Sequence, residues 1–353
     1  MYYISGGFNL KRLTVSVILI FLYICLLSSC TFQNTTKNDE QILTISTNLK
    51  LETQYKLHTI STGNDSIIYK NKMTGYPTGE MDRNHSFLYF TTRDNSKYIQ
   101  LFSLNLKTNE KKQLTSISQG IINVDTIRID DNKKNIYMRI VQKNHRNFSL
   151  AKYNLKTNQL KIFNSQERNI SIKTFDYISE KGEIFIVSNS ETERYNLMEK
   201  SNLLQIELEP CNYTLSLLDD EGNKMRSIGN IKENIVNVSL SRDGKKALIE
   251  IDKGNPFKES TLKQTVFIKD FKSGSLSPIF STPKGYNFIE QIQYSKDEEK
   301  IYFLAEDSKQ KPLYSNGRKL RIKSIFSYNL TNKSISQVYK MNNGNVNNFI
   351  VLR

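Results

Sequence analysis

From about residue 41 the chain alternates short runs of β-branched and aromatic residues with short polar turns, and the order recurs. Five segments align: 101–115 (LFSLNLKTNEKKQLT), 150–164 (LAKYNLKTNQLKIFN), 215–229 (LSLLDDEGNKMRSIG), 266–280 (VFIKDFKSGSLSPIF) and 325–339 (IFSYNLTNKSISQVY). In each, a strand-like run leads into a polar turn rich in Asn, Asp or Gly and then a second run, the pattern of a β-hairpin. The pentapeptide NLKTN even occurs twice, at 105–109 and 154–158.

A second hairpin lies upstream of each segment, with turns in DRNHSFLY, DNKKNIY, SEKGEIF, SRDGKKAL and SKDEEKIY. Corresponding turn residues Arg83, Asn132, Lys181, Asp243 and Asp297 are spaced by 49, 49, 62 and 54 positions. Four short strands per repeat at this period predict the blades of a propeller. The 3.6-residue periodicity of a helical solenoid is absent from these windows.

The two ends of the chain supply one more blade. Residues 344–353 (GNVNNFIVLR) have the character of an innermost strand, 41–47 of a second strand, and 57–71 of an outer hairpin. A blade shared between the ends closes the ring and removes exposed sheet edges. The expected fold is therefore all-β: a six-bladed propeller of four-stranded antiparallel blades over residues 41–353, with five or seven blades as the alternative.

Two of the upstream turns carry a resemblance. Residues 240–248 (LSRDGKKAL) and 294–303 (YSKDEEKIYF) are similar to the S-P-D-G-K-x-I-x-F turn of TolB-like propellers, whose Asp can cap local backbone amides. The family's Pro is replaced by Arg242 and Lys296, and its Gly stands here as Gly244 and Gly182. A WD40 signature is excluded, since the chain has no Trp.

The first thirty residues read differently. Lys11 and Arg12 precede the apolar run LTVSVILIFLYICLL, followed by Ser28, Ser29 and Cys30. A basic region, an apolar core and small residues before a cleavage point make a secretory signal. The run is short for a bilayer span, which takes ~20 apolar residues. Leu27-Ser28-Ser29-Cys30 resembles the lipobox of bacterial lipoproteins, which implies lipid transfer to the Cys30 sulfur, cleavage before it and acylation of the new terminus. An uncleaved anchor or a plain secretory signal stays open. Two or three acyl chains suffice for anchoring, each buried methylene contributing ~0.8 kcal/mol. The expected organisation is a signal over 1–29, a tether over 30–40 and the propeller beyond, lipid-anchored on the outer side of a bacterial cell membrane. Cys25 would leave with the signal, so Cys211 would be the only unlipidated thiol and no intrachain disulfide can form. It is expected to be buried, or covered by a loop, rather than reactive.

Lys and Arg outnumber Asp and Glu by 50 to 35, a formal net charge of +15. Such a surface favours phospholipid headgroups or acidic wall polymers, although a Lys- and Asn-rich genome explains the same excess. Scattered charge and the export signal argue against nucleic acid. The three histidines, His58, His85 and His145, fall in different blades. Protease, hydrolase, P-loop and EF-hand motifs are missing, and the pairs Asp130-Asp131 and Asp219-Asp220 read as turn chemistry. No catalytic residue, metal site or cofactor is implied, and a monomer is expected.

The remaining signal is loop length. Connections between second and third strands are short in blades 1 and 2 (94–98 and 143–147) and long in blades 3, 4 and 5 (191–210, 253–263 and 306–323). These loops share the face that carries the connections between blades, where function is often added. Within them Tyr195, Phe257, Lys258, Tyr314, Arg318, Lys319 and Arg321 are candidate anchors for a partner. The expected function is a non-catalytic binding or scaffolding module for an envelope protein or an anionic envelope polymer. Two alternatives stay open: a propeller hydrolase or lyase acting on a sugar, lactone or peptide at the central channel, and a sensor with a small ligand there.

Overall fold

Alternation of apolar and polar residues fixes which face of each strand is buried, and here the second and third strands are buried on both faces, because every blade packs between two others. The computed structural model describes residues 39–352, apart from 73–74, 131, 133, 164, 254–262, 316–317 and 321. Cys30 and the signal segment lie outside the described residues. Among these residues six four-stranded antiparallel sheets form one compact unit, Glu40–Arg353.

The inner strands are Gly79–Met81, Ile121–Asp130, Ile170–Ile178, Asn234–Leu240 and Tyr286–Tyr294 for blades 1 to 5, and Gly344–Leu352 for blade 6. Blade 6 joins the chain ends as the sequence predicts: Gly344–Leu352 pairs with Gln41–Asn48, which continues into Glu52–Thr59 and Asn64–Lys72. Neighbouring inner strands touch all the way round, so the ring is closed. Glu40, placed in the tether by sequence, belongs to this closure: its carboxylate accepts from the Lys296 N–H and the Tyr302 hydroxyl of blade 5.

Six apolar clusters fill the six gaps between blades. The gap between blades 6 and 1, for example, holds Leu43, Ile45 and Tyr55 against Leu88, Phe90 and Phe102. Nearer the axis, polar stitches cross from blade to blade. Arg128 of blade 2 pairs with Asp176 of blade 3 at 2.6 Å, and the other Asp176 oxygen accepts the Leu240 N–H of blade 4 at 2.8 Å.

The repeated pentapeptide is explained by its turn. The Asn105 side chain accepts the N–H groups of Lys107 and Thr108, and Asn109 takes a left-handed φ of 57°. Asn154 and Asn158 repeat this, with φ 56° at Asn158. Asn fits both places because its side chain closes a local turn and it tolerates the left-handed region. The upstream turns use the Asp named above: Asp243 and Asp297 accept from the N–H groups of Lys245 and Glu299.

One expectation is corrected. Among the described residues the long connection in blade 3 is not irregular: it holds one α-helix, α1 (Glu191–Leu204). Ser190 caps it by accepting the Glu193 N–H, and Glu191 and Glu193 in the first turn complement the helix dipole.

Candidate functional site

The insertions leave the ends of second strands, Glu183–Ser190 in blade 3 and Lys300–Asp307 in blade 5, so they rise from one face of the ring. In blade 5 the insertion forms a small hairpin in which Leu313–Ser315 pairs with Arg318–Leu320. Tyr314, on that hairpin, is 68% exposed, and Tyr195, on α1, is 61% exposed. They stand on blades 3 and 5 with blade 4 between them. Arg318 and Lys319 lie in the hairpin's second strand. Phe257, Lys258 and Arg321 lie outside the described residues.

The densest apolar surface on this face is α1 and the segment after it. No residue of the helix is buried. Tyr195, Met198, Leu203, Leu204, Ile206 and Leu208 are all exposed, and Tyr195, Met198 and Leu203 border a shallow groove with Glu199 and Asn202. Positions 195, 198, 199, 202 and 203 share one side of a helix because 3.6 residues make a turn. Sequence reasoning found Tyr195 but missed Met198 and the leucines, whose signal was an N-cap followed by a short helical stripe. Local charge is also unlike the rest of the chain. Within 191–210 there are five Glu against Arg194 and Lys200, a net of −3. Glu209 of the returning segment pairs with Lys200 of α1 and with Lys232 of the body.

Below the insertions, charged groups sit on the inner, second and third strands of blades 2, 4 and 5. Arg139 pairs with Asp125 and donates to the backbone carbonyls of Ile172 and Lys173. Lys323 pairs with Glu290. Asp252 accepts from Gln264 at 2.7 Å, and burial holds its carboxyl above the usual range. Glu250 is fully buried. Desolvation first, then the charges of Glu290 and Asp252, push it well above the usual carboxylate range. Neither of its oxygens has a hydrogen bond of normal geometry; the Gln291 N–H only tempers the shift. These acids are thus paired, hydrogen-bonded or sealed.

Among the described residues no group of three or more His, Cys, Asp or Glu could hold a metal ion. His58, His85 and His145 sit in blades 6, 1 and 2, and His58 is buried with its Nδ1 2.8 Å from Asp65. Cys211 is a buried free thiol whose pKa is raised by desolvation and by Glu193. Asp219 accepts the N–H groups of Glu221 and Asn223, as turn chemistry requires. Among the described residues no helix is long and apolar enough to cross a membrane.

Strand order, ring closure and the Asp-capped turns together define a TolB-like six-bladed β-propeller fold. The solved TolB from Acinetobacter baumannii superposes with a TM-score of 0.58 at 11% identity, covering 89% of this chain and 66% of that one. A putative TolB from Agrobacterium tumefaciens gives a TM-score of 0.55 at 8% identity, covering 88% and 92%. Among curated proteins, "Uncharacterized protein YdjN" of Bacillus subtilis (strain 168) is 27% identical over 328 residues, covering 90% of this chain and 89% of its own. No family model matches the chain.

Proposed function

We propose that the chain is a lipid-anchored, extracytoplasmic propeller that binds a protein partner through its insertion face, with α1 at the centre of the contact. The observation that carries this reading is a helix with no buried residue that displays Tyr195, Met198, Leu203 and Leu204 to solvent. Leu197 packs the 14-residue helix against the core between blades 3 and 4, whereas the other apolar side chains face solvent, and exposed apolar clusters of this kind mark interaction sites. The local charge of −3 makes an anionic polymer a poor fit for this patch and a partner with an apolar surface and basic rim a good one. A rigid ring presents the helix at little ordering cost. The reading is non-catalytic because the acids beneath the insertions are already engaged or inaccessible.

Crosslinking on intact cells followed by mass spectrometry tests this. The triple variant Tyr195→Ser, Met198→Ser, Leu203→Ser should fold as the parent does and lose the crosslinked partner. A second chain, with 313–321 replaced by a short Gly-Ser link, measures the share of the blade 5 hairpin. A partner list unchanged in the triple variant refutes the proposal.

A further inference from the structure

Between blades 2 and 3 lies a partly enclosed cavity of about 550 Å³, within the size range of small-molecule sites. Its origin can be read in the repeat. In each blade one side chain of the third strand faces the middle of the preceding blade. That residue is Phe102 in blade 1, Phe267 in blade 4 and Phe326 in blade 5, each packed with the apolar cluster of its gap. In blade 3 it is Ser216, set opposite Ile186. On the next rung Ser188 faces Thr214, where blade 4 has Ile251 beside Thr265. Blade 2 also has a small residue here, Ala151, but only in the gap between blades 2 and 3 does the small side chain coincide with two hydroxyl residues on the next rung beside a cavity.

Two walls of different chemistry result. Phe148, Leu150 and Phe163 of blade 2, with Ile172 and Leu218 of blade 3, form the apolar part. The Phe163 ring can lie over the blade 3 turn because residue 222 is Gly: a Cβ there would meet the ring at 2.6 Å, and its φ is +89°. The polar part holds a row of three hydroxyls, Ser188, Thr214 and Ser216, on one sheet face; the only charged lining residues, Glu167 and Lys224, are solvent-exposed. Ser188 and Ser216 are only 9% and 4% exposed, yet none of the three hydroxyls has a hydrogen-bond partner among the described residues. Their oxygens open onto the cavity, so hydrogen-bonding capacity is free there beside an aromatic wall, a pairing that suits neither water alone nor pure hydrocarbon.

We propose that this cavity binds an uncharged small molecule with an apolar body and hydroxyl or carbonyl groups along one edge. The body lies against Phe148 and Phe163, and the polar edge exchanges hydrogen bonds with Ser188, Thr214 and Ser216. The site is independent of the contact assigned to α1.

The test uses the full chain in phosphatidylcholine nanodiscs, with N-phenyl-1-naphthylamine, an uncharged aromatic amine, as the fluorescent probe. Saturable one-to-one binding is expected in the parent protein, above the lipid background. Ser216→Phe restores the side chain of blades 1, 4 and 5 and should weaken binding at least tenfold with the fold intact. Ser188→Ile, which fills the next rung, should weaken it as well and decides the matter if Ser216→Phe does not fold. The α1 triple variant should bind the probe like the parent. Absence of saturable binding in the parent, equal binding in the filled variants, or loss of binding in the α1 variant overturns the proposal.

Discussion

Replacing Glu250 with Leu should make this protein more stable, and the gain should grow with pH. Glu250 projects from the second strand of blade 4 (Lys246–Lys253) on the same side as Leu248, which packs in the gap to blade 5. Counted from the start of the second strand, the same position is Val187 in blade 3 and Leu304 in blade 5, both buried in apolar clusters. Leu therefore suits the site in shape and chemistry. A buried carboxyl without proper hydrogen bonds costs about 1–3 kcal/mol even when neutral. The pH term adds to that. In the folded chain the Glu250 pKa is raised, chiefly by desolvation. Above the unfolded pKa, near 4.5, the native state still holds a proton that the unfolded chain has released. Stability is therefore lost as pH rises toward the folded pKa, at up to about 1.4 kcal/mol per pH unit for one proton. The Leu variant escapes this slope. Its advantage should be about 1–3 kcal/mol near pH 5 and widen by roughly 2–4 °C in Tm per pH unit above that. Thermal and urea unfolding followed by near-UV circular dichroism at several pH values measures both. A variant less stable than the parent, or a gap that does not change with pH, would show that the carboxyl is paired in the folded protein.

Other expectations follow from the ring and its turns. Asn105→Ala removes the acceptor for two turn amides and should cost about 0.5–2 kcal/mol by analogy with capping residues, read as a shift in the urea midpoint. Phe349→Ala empties a fully buried position in the closing strand and should cost about 3–5 kcal/mol; a smaller loss would mean that blade 6 contributes little to closure. Arg128→Met strands Asp176 between three blades and should cost about 3–5 kcal/mol, whereas Arg128→Met with Asp176→Leu should recover part of it. For the anchor, Cys30→Ser should release the chain from the membrane or leave its precursor unprocessed, and cell fractionation with intact-mass measurement distinguishes normal retention from both.

The period of hydrophobic runs was enough to give six blades, and the resemblance of GNVNNFIVLR to an inner strand was enough to place the tail beside residues 41–48. Both are local signals. Strand alternation and turn chemistry act over a few residues, so the chain writes them plainly, and NLKTN is written twice because one turn geometry is needed twice. The helix in blade 3 escaped that reading because its apolar residues pack little and its cap, Ser190 with Glu193, is a weak pattern inside a long connection. The interblade cavity was present in the aligned repeats as Ser216 against Phe102, Phe267 and Phe326, yet a Ser in a strand acquires meaning only once the facing blade is known.

What the sequence by itself determined is the repeat and its strand directions, which depend on residues near in the chain, and the shared blade, whose strands stand out as the unmatched pieces of that repeat at the two ends. Which side chains meet across the gaps was decided by the tertiary structure alone. Glu250 is sealed by blade 5, Arg128 reaches Asp176 and through it Leu240, and three hydroxyls face an aromatic wall, because closing a ring brings together residues that no local pattern connects.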